Sequence, residues 1–170
     1  MSRVPRLLLA VATLALVLAS PATAQSTANA SIQALAFVQG VAPITATGVN
    51  DLDFGIVLAG TPTSPTSLAS QAGRWDITGE PGAPLTASLT LPLTLDGAGG
   101  SIPISFSATD GLHWNPFPTT STTFDPNIPY LTNLDGSGNL TLGISGTVSP
   151  PAATTTGNYT GTITLTVSYL

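Results

Sequence analysis

The sequence predicts an all-β fold: a two-sheet antiparallel β-sandwich of about seven strands with Ig-like packing. Three observations point there. Apolar and polar residues alternate along most of the chain, which sends successive side chains to opposite faces of a strand and marks a sheet with one face in a core. Turn-forming pairs, Asp96-Gly97, Gly99-Gly100, Asp110-Gly111 and Asp135-Gly136, punctuate the alternating runs. Downstream of Ala24 no run has strong helical periodicity, and short alternating strands separated by turn signals are the signature of a sandwich.

The elements follow in order. Arg3 and Arg6 precede an apolar run from Leu7 to Leu18 and the small triplet Ala22-Thr23-Ala24, the layout of a secretory signal (residues 1–24) cleaved after Ala24. That run is well short of the roughly 20 apolar residues that span a bilayer. Thr, Ser, Gly or Pro interrupts every later apolar run, so no transmembrane segment is expected after cleavage. Residues 25–38 form an extended segment that places Ala28, Ala30, Ile32, Ala34, Ala36 and Val38 on one face, with Leu35 and Phe37 on the other. It reads either as the first strand of the chain's own sheet or as a donor strand that completes the sheet of a neighbouring subunit by backbone hydrogen bonding.

Residues 39–170 make the sandwich domain. Leu52, Phe54, Ile56 and Leu58 alternate first, then Trp75 and Ile77. The run from Leu85 to Leu95 follows, with Pro92 marking an edge position or a bulge. Ile102, Ile104 and Phe106 come next, then Leu140, Leu142, Ile144 and Val148, and finally a long strand ending in Ile163, Leu165, Val167 and Tyr169 with a threonine-covered opposite face. Thr61–Ser70 and Asn115–Pro129, rich in Thr, Ser and Pro, read as surface connections.

Cleavage after Ala24 leaves Arg74 as the one base against eight acids, a net charge of −7. One base cannot neutralise several phosphates, so neither nucleic acid nor anionic lipid is an expected partner. Cysteine is absent, which excludes disulfide staples, thiol catalysis and zinc thiolates and leaves the fold to its core. The expected location is the periplasm, the cell surface or an extracellular fibre.

Three short stretches carry a resemblance: Leu52-Asp53-Phe54-Gly55 soon after an Ala-rich start, Gly79-Glu80-Pro81-Gly82 mid-chain, and the ending Gly157-Asn158-Tyr159-Thr160-Gly161-Thr162. They resemble a family of exported bacterial β-sandwich domains of unknown function. They are also similar to the major subunits of the common (meningitis-associated, temperature-regulated) pilus and, more distantly, to spore-coat-U-type pilins. The resemblance covers most of the mature chain. It implies a pilin-like, incomplete sandwich that polymerises by donor-strand exchange after delivery by a periplasmic chaperone and an outer-membrane usher. The implied partners are other copies of itself or related pilin subunits. The same residues have local readings: Phe54 plugs the core while Gly55 admits a close approach. Gly79–Gly82 turns the chain between two strands, with Pro81 fixing φ and Gly82 free to take positive φ.

Catalysis needs convergent titratable or nucleophilic groups, and the sequence offers one histidine and scattered carboxylates. His113 has no motif placing a nucleophile beside it and no second histidine for a metal pair, so it reads as a loop or strand-end residue. Trp114 and Phe117, among Asn115, Pro116 and Pro118, form a candidate surface aromatic site for a sugar ring or a partner. The preferred reading is core or edge packing of Trp114 in the sandwich. Asp51 and Asp53 would share the polar face of one strand, and Asp135-Gly136-Ser137-Gly138-Asn139 is short of calcium ligands and reads as a hairpin turn. Asp76 and Glu80 are expected to hold Arg74 at the surface. No catalytic residue, cofactor or metal site is assigned, and the chain is read as a non-enzyme.

Two function classes follow. The first is an exported structural subunit of a surface fibre. The second is a monomeric exported carbohydrate- or protein-binding module, which calls for an exposed, concave Trp114–Phe117 loop. A hydrolase would require a pocket joining His113 to a serine and an acid.

Overall fold

The computed structural model describes residues 32–36, 40–114, 117–118 and 121–170. The chain divides into two units, Met1–Val38 and Gln39–Leu170. Of the first, residues 32–36 have no regular secondary structure, and Ile32, Ala34, Leu35 and Ala36 are exposed. The expected signal segment lies outside the described residues, as do Ala28, Ala30 and Val38 of the expected donor strand.

The second unit is nearly all β. In chain order it contains β1 (Thr45–Asn50), the short helix α1 (Leu68–Gln71), β2 (Gly73–Thr78), β3 (Pro84–Thr90), β4 (Thr94–Gly97), β5 (Gly100–Ser105) and β6 (Gly111–Trp114). Then follow β7 (Ser121–Phe124), β8 (Tyr130–Asn133), β9 (Asn139–Ile144), β10 (Thr147–Val148), β11 (Tyr159–Thr160) and β12 (Thr164–Tyr169). A five-stranded sheet has the order β1-β2-β9-β6-β7; a four-stranded sheet runs β10-β5-β4-β11 and a three-stranded sheet β12-β3-β8. All strand pairings are antiparallel. The sheets form a sandwich-like arrangement, as the alternation predicted. The two smaller sheets are ends of one interrupted layer, because β3 leads into β4 and β11 into β12.

The strands outnumber the expected seven because long alternating runs break. The run from Leu85 to Leu95 breaks beside Pro92, which has no N–H to give a ladder, and Leu93 turns outward to 84% exposure. The facing run breaks at residues 161–163. Across the break the register shifts: Thr164 pairs with Thr90, but Thr160 pairs with Asp96 rather than Thr94. Other departures have equally local causes. Residues 51–58 form no strand, for reasons given with the site below. The stretch Asn115–Pro129, expected as a connection, contains β7, pinned by buried Phe124 and Pro126. The connection Thr61–Ser70 closes with α1, where the Gln71 side-chain oxygen accepts the N–H groups of Thr66 and Ser67 at 3.0 Å each.

The main core lies between β2, β7 and β9 on one side and β3, β8 and β12 on the other. Ile77, Leu85 and Leu142 meet there at 0–1% exposure, with Leu165, Val167 and Tyr169 packed against them. Burying each such aliphatic side chain stabilises the fold by about 1.5–3 kcal/mol.

The mid-chain Gly-Glu-Pro-Gly motif anchors the last strand to this core. The Tyr169 hydroxyl donates to the Ala42 carbonyl and accepts from the Glu80 N–H, both at 2.8 Å. The Glu80 carboxylate in turn accepts the Ala42 N–H at 2.9 Å. Gly79 is required because a Cβ there would overlap the Tyr169 hydroxyl. Gly82 takes φ +70° in the turn between β2 and β3, the left-handed conformation expected of it.

Candidate functional site

At the end of the sandwich away from the main core the layers stand apart. A cleft of about 1120 Å³ opens there. Leu95 of β4, Ile102 and Ile104 of β5, Ile144 of β9 and Val148 of β10 form its depth, and all but Leu95 are buried. One wall is the segment that follows β1, with Trp75 of β2 beside it; the other is the chain from Thr154 to Ile163. Trp75 is half-buried, so it lines this cleft instead of filling a closed core.

The second wall includes an open edge. β11 stands last in its sheet, and among the described strands none pairs with its outer side; β12, likewise at a sheet edge, lies beyond the cleft's lining. A row of free N–H and C=O groups beside an apolar cleft is a template for another strand.

The first wall carries the Leu52-Asp53-Phe54-Gly55 motif in a conformation the alternation did not foresee. The Asp53 carboxylate accepts the Gly55 N–H at 2.8 Å, and the Asp53 N–H donates to the Gln71 carbonyl at 2.8 Å. This Asx turn sets Gly55 at φ +63°, which a strand cannot contain. Gly55 therefore supplies left-handed backbone and not a close approach: a Cβ there would meet Gln71 only at 3.8 Å. Leu52 and Phe54 stay half-buried, so Phe54 is no core plug, while Ile56 is 93% exposed at the cleft's lip and Leu58 is 67% exposed outside the cleft's lining. With no strand here, Asp51 and Asp53 do not share a strand face.

The structure brings Trp114 and Phe117 together edge-on, with ring centroids 5.3 Å apart. It does not make them a platform. Trp114 is 5% exposed and packs with Ala72 and Leu112. Leu112 pairs with Gly143 and Trp114 with Thr141, which places both on the face of the five-stranded sheet opposite Leu140, Leu142 and Ile144. Gly143 makes the room, since a Cβ there would overlap the indole. The candidate aromatic site is thus corrected to a buried satellite cluster with Phe117 over it. The Arg74 guanidinium stacks on the Phe117 ring, 4.0 Å from its centroid, in a cation–π contact. Its expected carboxylate partners are engaged elsewhere: Asp76 accepts from the Thr141 hydroxyl at 3.0 Å, and Glu80 from Ala42.

His113 faces the main core. Its Nδ1 lies 3.0 Å from the Tyr130 hydroxyl, and burial holds its pKa below the ordinary 6.5 because the imidazolium is poorly solvated there. A hollow of about 500 Å³ joins His113 to Asp135 and Thr141 but, among the described residues, to no serine. Asp135 is occupied in its turn, accepting the N–H groups of Ser137 and Asn139 at 2.8 Å each. Among the described residues no group of three or more His, Cys, Asp or Glu is placed to hold a metal ion. No helix of them is long and apolar enough to cross a membrane.

Sequence reasoning singled out Trp114 and passed over the cleft. Every residue in its depth was legible as core, and alternation alone cannot say what covers a face. Residues 39–169 match the family model described as Domain of unknown function (DUF4402). No curated protein matches the chain.

Proposed function

We propose, from the premise that the chain belongs to the DUF4402 family, that it is an exported structural subunit of a surface fibre, polymerising by donor-strand exchange. Residues 25–38 of one copy complete the sandwich of the next. The observation that carries this reading is the apolar cleft beside the open edge of β11. An exposed apolar cleft and an unpaired strand edge are each unfavourable in water, and one inserted strand relieves both. Contacts passed head to tail without closing a ring give a filament. The basic and apolar layout of residues 1–24 supports export, and the resemblance to common-pilus subunits makes a periplasmic chaperone and an outer-membrane usher the delivering partners. The alternative of a monomeric carbohydrate- or protein-binding module leaned on an open aromatic loop, and Trp114 is buried.

The test compares the full mature chain with one lacking Gln25–Ala36, on unheated gels and by electron microscopy. The mature chain is expected to give heat-sensitive multimers and the shortened one none. A mature chain that stays a stable, soluble monomer overturns the reading.

A further inference from the structure

Resting on that reading, we propose that Leu52–Leu58 is the adaptable side of the docking cleft. When residues 25–38 of a second copy enter, this segment straightens into a strand along the occupant's second backbone edge and turns Ile56 and Leu58 against it.

Sequence and structure disagree in this segment, and the disagreement carries the inference. Leu52, Phe54, Ile56 and Leu58 have the period of a strand with one buried face. In the isolated chain only the first two are half-buried, while Ile56 lies exposed at the cleft's lip and Leu58 is exposed outside its lining. An alternating apolar run left unpaired beside an apolar cleft lacks a neighbouring strand. β11 and Ile163 form the opposite wall, so an occupant paired with β11 would present its other edge towards this segment.

Two contacts hold the segment out of a strand, the Asp53 N–H to the Gln71 carbonyl and the Asx turn at Gly55, and the second rests on a residue that can change. Gly55 sits at φ +63°, and glycine passes between left-handed and extended backbone at little cost. Straightening gives up the Asx hydrogen bond from Gly55 to Asp53 and gains ladder bonds to the occupant.

The occupant is the 25–38 segment of another copy on three grounds. Its inward face is mostly alanine (Ala28, Ala30, Ala34 and Ala36), which suits a cleft whose depth is already filled by isoleucine and valine. It carries no charged residue, so no ion is desolvated on entry. Ala28–Val38 spans eleven residues, about 36 Å of extended chain at roughly 3.3 Å per residue, long enough to run along the cleft wall from Thr154 to Ile163.

Hydrogen exchange on the full mature chain tests this, comparing its multimer and monomer fractions. Amides within Phe54–Leu58 are expected to exchange roughly 100-fold more slowly in the multimer, as newly paired strand amides do. Gly55→Val separates the conformations by sign. A β-branched residue is strained at positive φ and at ease in a strand, so the variant lowers monomer stability and raises the multimer fraction several-fold. Ile56→Asp, at an exposed position, leaves the monomer's urea midpoint unchanged and cuts the multimer fraction roughly tenfold or more, as burying a charge requires. Multimers whose Phe54–Leu58 amides stay unprotected overturn this inference and leave donor-strand exchange standing. Protection already present in the monomer shows a chain filling its own cleft and overturns the second copy as occupant. A fall in multimer with Gly55→Val overturns the straightening. Failure to form multimers at all overturns both readings.

Discussion

β2 and β9 each run one inward stripe through both ends of the sandwich, and the two ends treat it differently. Ile77, Leu140 and Leu142 meet Leu85, Ala87 and Val167 across a closed core. Two residues along the same strands, Trp75 and Ile144 face the cleft. The stripes match; the covering layer does not. Over the closed end β12 pairs with β3 along the whole of its length, from Thr164 to Tyr169, whereas at the open end β11 pairs with β4 through only Tyr159 and Thr160. Alternation therefore fixes which face of a strand turns inward, and a separate, tertiary condition decides whether that face is finished within one chain.

The largest test of this contrast truncates one leucine in each region. Leu142→Ala, in the closed core, should cost about 2–5 kcal/mol of monomer stability in urea unfolding, the price of a cavity among side chains that cannot collapse onto it. Leu95→Ala, half-buried at the cleft, should cost about 1 kcal/mol because water already reaches the removed atoms. In the multimer the order should narrow, since Leu95 is then covered. Equal losses in the monomer would show the cleft to be closed in solution.

The same contrast explains how much the sequence disclosed. The all-β class, the stripes in β3, β9 and β12 and the turn at Gly82 were legible because each depends on a period or on one residue's φ preference. The Leu52–Leu58 segment was misread because its period is that of a strand, while the Asp53–Gly55 hydrogen bond and α1's hold on Asp53 override it. Burial of Trp114 was the preferred reading, but its surroundings were not legible, because its cover comes from Phe117 and its room from Gly143, partners set by sheet register. The cleft was not legible for the reason already given: the residues in its depth look the same in sequence as residues in a finished core.

A smaller effect is expected where the closed end is tied to the chain that enters it. Tyr169→Phe keeps the ring in the core but removes the hydroxyl shared by Ala42 and Glu80. The partly buried Glu80 N–H then loses its acceptor, so urea unfolding should register a loss of about 1–3 kcal/mol. The multimer fraction should follow only in proportion to that loss, because Tyr169 does not line the cleft. A selective collapse of assembly at unchanged stability would place the Tyr169 end of β12 within the docking surface and extend the open region over it.

The smallest expected effect is titration of His113, which belongs to the closed end through Tyr130, a ring stacked on Phe124. Burial lowers the His113 pKa in the folded chain, so the unfolded chain binds the proton more readily. Where the unfolded state holds more protons, stability rises with pH. The contribution is therefore complete above the ordinary value of 6.5, falls as pH drops below it, and levels off once the folded-state pKa is passed. The side chain is only about half buried, so solvent screening keeps the effect modest. Urea midpoints measured from about pH 7 down to about pH 5, the range in which an imidazole titrates, should decline less steeply for His113→Gln, which retains an acceptor for the Tyr130 hydroxyl, than for the unaltered chain. Leu95→Ala should leave that slope in place, because its surroundings at the cleft contain no histidine. A slope that survives His113→Gln would assign the acid sensitivity to carboxylates and detach it from the closed core.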